Sequence, residues 1–326
     1  MFRLLALAVL CCAAAFITAA DQPKEINFGI ISTESSANLK PLWQPFLADM
    51  EKALNVKVNP FYATDYAGVI EAMKVGKVDL AWFGNKSAME AVDRAGAEVF
   101  VQTVDKDGNP GYWSLIIVHK DSPIQSLDQL LANGSQYTFS IGDPNSTSGF
   151  LVPSSFVFAP RGVDPKTHFK RLTSGNHESN ALAVASKQVD AATCNTESLR
   201  RLEITKPEMA KDLREIWRSP LIPSDPICWR KSLPEVFKAK TKAWFLAYGK
   251  TPDEEKVLTA LQWKPFKESG DYQLLPVRKL ELIKNRAKIE NDEKIPAEEK
   301  QDRIQEIAAK LEMVEKQIAE HAAKSH

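Results

Sequence analysis

Three consecutive hydroxyl residues stand between glycines in Gly142-Asp143-Pro144-Asn145-Ser146-Thr147-Ser148-Gly149. An apolar strand candidate, YTFSI, leads into this segment, and an apolar helical run, FLVPSSFVFA, leads out of it. The hydroxyls therefore fall at a helix start. About four backbone N–H groups lack partners there, the helix dipole is positive, and Ser and Thr side chains add further donors. A phosphate-like oxyanion fits such a site without any Lys or Arg. A simple N-cap by Asn145 or Ser146 accounts for one polar side chain; three hydroxyls in a row exceed a cap and suit an anion-binding nest of backbone amides. Pro153, a turn or two further on, is expected to kink the helix. Catalytic chemistry has no comparable signal: the chain contains no GxSxG and no HExxH, and its five histidines do not cluster with other metal ligands. No enzyme, cofactor or metal is expected.

The elements that must position this segment follow a strand-to-helix rhythm. INFGII reads as a buried strand, and 39–54 as an amphipathic helix with Leu42, Phe46, Met50 and Leu54 at four-residue steps. VKVNPFYA, VDLAWFGN and AEVFVQTV are further strands, separated by the helices YAGVIEAMKVGK and SAMEAVDRAG. That alternation predicts a parallel sheet covered on both faces. GYWSLIIVHK is the longest strand candidate and a natural crossing into a second lobe, in which YTFSI, VDAATCNTES and LREIWRSPLIPSDPICWRK supply strands. KAKTKAWFLAYG and DEEKVLTALQW return to helix, as if the chain had come back. The organisation expected is residues 21–118 as the first part of lobe 1, 119–222 as lobe 2, 223–283 as the return to lobe 1, and 284–326 as a C-terminal helical extension. Two crossings imply a hinge and a cleft, and ligands of open α/β sheets bind beyond the carboxyl ends of the strands.

The tail repeats Ile304, Ile307, Leu311, Val314 and Ile318 at steps of three and four. This short seam fits either a helix laid on its own lobe or a helical hairpin that forms a homodimer. The first twenty residues combine Arg3, an apolar run from Leu4 to Ile17 and small residues before Asp21, the grammar of a signal peptide cut after Ala20. Leu10 ahead of Cys11 argues against a lipoprotein. Acidic and basic residues balance at 42 each, so nucleic acid is not an expected partner. Cys194 and Cys228 survive cleavage, in no CxxC motif. An oxidising compartment allows them to pair, and two buried free thiols are the alternative.

Seven stretches (NFGIISTESS, DYAGVIEAMKVGKVDLAWFGNKSAMEAVDRAG, GYWSLIIV, GDPNSTSGFLVP, GNHESNALAVASKQVDAAT, NTES and SPLIPSDPICWRK) resemble, in register, the phosphonate-binding periplasmic protein of phosphonate ABC importers. The resemblance implies an α/β fold of the type II periplasmic binding protein class: two lobes joined by two hinge crossovers, a cleft between them, and C-terminal helices. It implies that a phosphonate head sits on Ser146, Thr147 and Ser148, reached by Tyr66, Tyr112 and His177. It further implies that Glu197 and Asp225 receive the ammonium of 2-aminoethylphosphonate through charge-assisted hydrogen bonds, and that the partners are a permease and its cytoplasmic ATPase. If both carboxylates converge, Cys194 and Cys228 become neighbours able to form a disulfide. Two other readings compete: a same-fold protein for phosphite, phosphate or a phosphate ester, with no use for the two carboxylates, and a secreted hydrolase.

Overall fold

The computed structural model describes residues 22–324, so the expected signal peptide at 1–20 lies outside the described residues. The chain opens with β1 (Glu25–Ile30), β2 (Lys57–Tyr62) and β3 (Leu80–Trp82), with β1 parallel to both of the others, and then β4 (Ala97–Asp105). After the short β5 (Gly111–Tyr112) come β6 (Ser114–His119), β7 (Thr138–Ile141), β8 (Arg171–Ser174), β9 (Ala191–Asn195) and β10 (Leu213–Arg218). These last five form one sheet, in the order β10-β6-β9-β7-β8. β11 (Ile222–Pro223) pairs with β5, and β12 (Pro226–Arg230) and β13 (Trp263–Glu268) rejoin the first sheet, ordered β13-β4-β12-β3-β1-β2.

The expected parallel sheets are therefore mixed. β12 runs antiparallel to both β3 and β4, β13 is antiparallel to β4, and β6 is antiparallel to β9 and β10. The outgoing and returning chain lie side by side at the crossing, so their strands must run in opposite directions. That crossing also splits GYWSLIIVHK. Gly111 and Tyr112 pair with Pro223 and Ile222 in a two-stranded ribbon, whereas Ser114–His119 belongs to the second sheet, and β4, with nine residues, is longer than either piece. A Cβ at Gly111 would stand 1.8 Å from the Ile222 carbonyl oxygen, so only glycine allows the two crossing strands to approach this closely. The break at Trp113 moves the first lobe boundary ahead of the expected 118/119, and the continuous Leu275–Glu290 helix runs through the expected 283/284 division.

Aromatic side chains dominate the first lobe's core. Leu39, Trp43, Phe46, Leu47, Met50 and Leu54 form the buried stripe of the Ser36–Leu54 helix, with Leu42 only partly buried. Phe46 meets Phe28, Trp43, Trp244, Phe245, Tyr248 and Phe266 at ring separations of 5.2–6.4 Å. Trp43 and Trp263 clamp Trp82 at 5.4 and 5.7 Å, which carries the rigidity of this core to the end of β3.

FLVPSSFVFA does become helical, but as two π-turns, Thr147–Leu151 and Ser154–Phe158, on either side of Pro153. Pro153 cannot donate to the helical ladder, and the two stretches of widened register lie on either side of it. The C-terminal seam is covered within the chain. The Ala297–Lys324 helix folds back on Leu275–Glu290 with Ile307 and Val314 buried, Lys279 paired with Glu315 at 2.7 Å, and the Tyr272 and His321 rings stacked at 3.9 Å.

Of the two alternatives for Cys194 and Cys228, the structure has the pair of free thiols and no disulfide. Cys194 lies in β9 opposite Leu115, Cys228 in β12 opposite Ala81 and Val99, and the two are buried free thiols in separate cores of the two lobes. Convergence of Glu197 and Asp225 does not bring the thiols together because each cysteine sits three residues from its carboxylate, inside its own sheet. Burial pushes the Cys194 thiol up to about 12 and Cys228 well above its ordinary value, so neither is a ready nucleophile. Denatured protein that begins at Asp21, prepared without reductant, should take up two alkyl groups per chain in intact-mass measurement, and native protein none; an unalkylated denatured chain would restore the disulfide.

Candidate functional site

A small, partly open cavity of about 10 Å3 lies between the sheets. Its walls include all eight residues singled out from the sequence: Tyr66, Tyr112, Ser146, Thr147, Ser148, His177, Glu197 and Asp225. Most stand at helix starts. Tyr66 opens the helix Tyr66–Lys74, Ser146 caps the π-turn that begins at Thr147, His177 opens His177–Ala185, and Glu197 is the second residue of Thr196–Thr205. The Asn85–Arg94 helix points its start at the same place, where the Lys86 N–H donates to Thr147 Oγ1 at 2.8 Å. Strand ends deliver these turns, so the cavity sits where the carboxyl ends of open sheets place ligands.

The serine-threonine-serine segment is built as a donor cradle. Its helical ladder opens with the Leu151 N–H donating to the Ser146 carbonyl, a five-residue step that leaves the Thr147 and Ser148 amides ahead of it. Ser146 Oγ accepts the Gly149 N–H at 2.9 Å. Gly142 and Gly149 close the loop: the Gly142 N–H donates to the Gly149 carbonyl at 2.8 Å, and a Cβ on Gly142 would fall 2.5 Å from the Gly149 Cα. The Ser114 hydroxyl on the Ser148 carbonyl (2.6 Å), the Thr193 hydroxyl on the Gly149 carbonyl (2.8 Å) and the Asn195 amide on Ser148 Oγ (3.0 Å) fix the turn from below.

His177 faces the cradle through Nε2, 3.2 Å from Ser148 Oγ and 3.4 Å from Ser146 Oγ. Burial, and then Arg201, pushes this imidazole down to about 4, so it is neutral at pH 7 rather than a cation, and it contributes one N–H. Tyr66 and Tyr112 are buried, and their phenols are held well above the ordinary range, first by burial and then by Asp225. Both keep their protons as donors. Tyr112 already donates to Asp225 Oδ1 at 2.9 Å.

The two carboxylates share the other end of the cavity. Burial, and after it Glu197, holds the Asp225 carboxyl well above its usual range; burial above all pushes Glu197 up to about 7, with Arg201 working against the rise. The cradle is close by: a Cβ placed on Gly84 would lie 3.1 Å from Thr147 Oγ1 and 3.9 Å from Asp225 Oδ1. The site thus sets a positive-ended donor nest near the Asp225 carboxyl, with Glu197 lining the same cavity. No group of three His, Cys, Asp or Glu among the described residues could hold a metal ion, and a wider groove of about 1000 Å3 beside the Ser36–Leu54 helix and β2 is lined by none of the eight residues singled out from the sequence.

Sequence reading missed Thr33, Trp82, Asn195 and Arg201, which also line the cavity. Trp82 ends β3 and Asn195 ends β9, positions at which the strand-end rule alone would have pointed to the site. Arg201 stands four residues after Glu197 on one helix, a spacing that puts both on one face. It is buried and forms an ion pair with Glu34. The Thr33 hydroxyl and His177 Nδ1 are buried with no hydrogen-bond partner, and the Trp82 indole N–H acts on Asp225 as a donor.

Glu197 binds its proton more tightly when folded, since its value of about 7 lies above the ordinary 4.5. Its contribution to stability is therefore complete below pH 4.5 and is lost as pH rises through about 7. The unliganded protein should melt lower at pH 8 than at pH 5.5, and Glu197→Gln should flatten that decline in paired thermal melts; an undiminished slope in the variant would place the titration elsewhere.

A family model described as the periplasmic phosphonate substrate-binding protein of an ABC transporter matches residues 28–274. The phosphonates-binding periplasmic protein of Escherichia coli (strain K12) is 55% identical over 294 residues, 90% of this chain and 87% of its own length. A phosphate-import protein of Mycolicibacterium smegmatis is 32% identical over 236 residues, covering 69% and 72% of the two chains. Among solved structures, the binding-protein component of an ABC phosphonate transporter from Pseudomonas aeruginosa matches with a TM-score of 0.90 at 54% identity, over 93% of this chain and all of that one. With its two α/β lobes and donor-lined cleft, the chain belongs to the family of periplasmic phosphonate-binding proteins that serve ABC importers, and it is a binding protein rather than an enzyme.

Proposed function

We propose that this protein captures 2-aminoethylphosphonate and hands it to a permease with a cytoplasmic ATPase, after export directed by a signal peptide at residues 1–20. The phosphonate head occupies the cradle of Ser146, Thr147 and Ser148, with Tyr66, Tyr112 and His177 as further donors. The ammonium lies between Glu197 and Asp225. The observation that supports this reading is the pairing of opposite demands in one cavity. Two buried carboxyls side by side suppress each other's ionisation, and a cation between them lets both carry charge and supplies the donors that carboxylates need. Thr147 and Asp225 line the same small cavity, which suits a small zwitterion rather than a long ester. Ligand contacts from both lobes favour the closed form, which is the form the permease recognises, because only that form makes all of them at once.

Phosphate is the second reading, since one relative is named as a phosphate-import protein; it would satisfy the cradle and leave both carboxyls unused. Calorimetric titration separates the two. Asp225→Asn should cost aminoalkylphosphonate binding about 2–5 kcal/mol, the range for a desolvated charge pair, and spare methylphosphonate. Thr147→Val should weaken every phosphonate alike. Equal losses for both ligands in the Asp225 variant, or a wild-type preference for phosphate, would defeat the aminophosphonate assignment.

A further inference from the structure

Glu178 follows His177 at the start of the His177–Ala185 helix, and its side chain reaches out of the second lobe into the first. Oε2 accepts the Ser35 backbone N–H at 3.0 Å, and Oε1 accepts the Asn38 side-chain amide at 2.7 Å. Both donors belong to the opening of the Ser36–Leu54 helix. The Glu178 N–H donates to the Thr33 carbonyl at 3.3 Å, a backbone bond across the same boundary. That helix opening lacks what helix starts usually carry: the Ser35 side chain makes no capping bond, and the first turn holds no acidic residue. A helix N-terminus favours a carboxylate, and here the opposite lobe provides it.

The contact differs from an ordinary surface ion pair. The Glu178 side chain is only 10% exposed, and Lys206 of its own lobe fixes it from behind at 2.9 Å. Burial alone would raise the carboxyl, yet the Ser35 N–H and Lys206 together hold it below the usual range, so it is charged where it meets the helix. Two other bridges, Arg200 to Asp105 and Asp107 and Arg201 to Glu34, also join the lobes. Both arginines lie one turn beyond Glu197 and act electrostatically on it, so changing them would disturb the cavity itself. Glu178 does not line the cavity.

We propose that Glu178 is the closing latch of the cleft: it caps the first lobe's helix only when the lobes meet, and it couples that closure to its neighbour His177 on the anion cradle. A contact made in the closed form alone shifts the balance toward that form by its own free energy, and the affinity of any ligand that needs closure falls with the closed fraction. The latch acts the same way on every ligand because it touches none of them. Only the choice of phosphonate probes rests on the function proposed above.

The test uses Glu178→Gln and Asn38→Ala, singly and together, with methylphosphonate and 2-aminoethylphosphonate as probes. Each variant should weaken both probes by one common factor, about threefold to tenfold for a charge-assisted bond, carried by faster dissociation in stopped-flow traces. The double variant should lose no more than the larger single, as partners in one interaction do. In small-angle scattering without ligand, both variants should have a larger radius of gyration than the wild type. Additive losses, a loss confined to one probe, or unchanged dissociation rates and radius would overturn the latch. If Glu178→Gln does not fold, Asn38→Ala removes the same bridge from the other lobe. Should neither probe bind the wild type, the phosphonate reading fails, and the scattering comparison alone still decides the latch.

Discussion

Uncompensated backbone amides at converging helix starts are the constraint around which this molecule is arranged. The helices that begin at Tyr66, Asn85, Thr147, His177 and Thr196 come from both lobes, and each directs its opening turn at one cavity. Amides and dipoles add at that point beside one buried cation, Arg201, which is already paired with Glu34. The proteins's neutral overall charge is therefore no guide to its site: the local field comes from backbone orientation, which composition does not record. The same logic explains why His177 can remain neutral, since the backbone already presents the positive ends an oxyanion needs.

Closure is the second half of that arrangement. The bonds from Lys86 N–H to Thr147 Oγ1 and from Tyr66 N–H to Asp143 Oδ2 (3.2 Å) run between lobes within reach of the cradle, so the nest is completed by groups that arrive from the opposite side. Each is modest by itself, as hydrogen bonds formed in exchange for water are. Their value lies in geometry: they can be satisfied only at one relative position of the lobes, and that position encloses the cavity.

Much of this was legible in the residues. Strand-and-helix periodicity gave the two lobes and the double crossing, because buried strands and amphipathic helices leave distinct repeats. The hydroxyl run pointed to an anion-binding turn by its chemistry, and the structure sets that turn in the cavity, whereas Glu197 and Asp225 were reached only through family resemblance, since nothing local distinguishes them from other acids. Three features escaped. Strand direction depends on where the returning chain re-enters the sheet, which no local pattern encodes, so the mixed pairing of β12 was invisible. The π-turns around Pro153 reflect a tertiary solution to a missing donor, and a proline in sequence announces only the defect. Proximity of the cysteines was inferred from proximity of their neighbouring carboxylates, but three residues along a strand and its turn suffice to carry a side chain from cleft to core.

The ribbon of β5 and β11, pressed together at Gly111, carries one more implication. Tyr112 is part of that ribbon and Asp225 lies two residues beyond it, so a rotation of the lobes about the ribbon gives both short lever arms. Their mutual hydrogen bond stands on the crossing itself, whereas Ser146, Thr147 and Ser148 across the chamber are carried by the second lobe alone, so one wall is anchored in both lobes and the opposite wall in one.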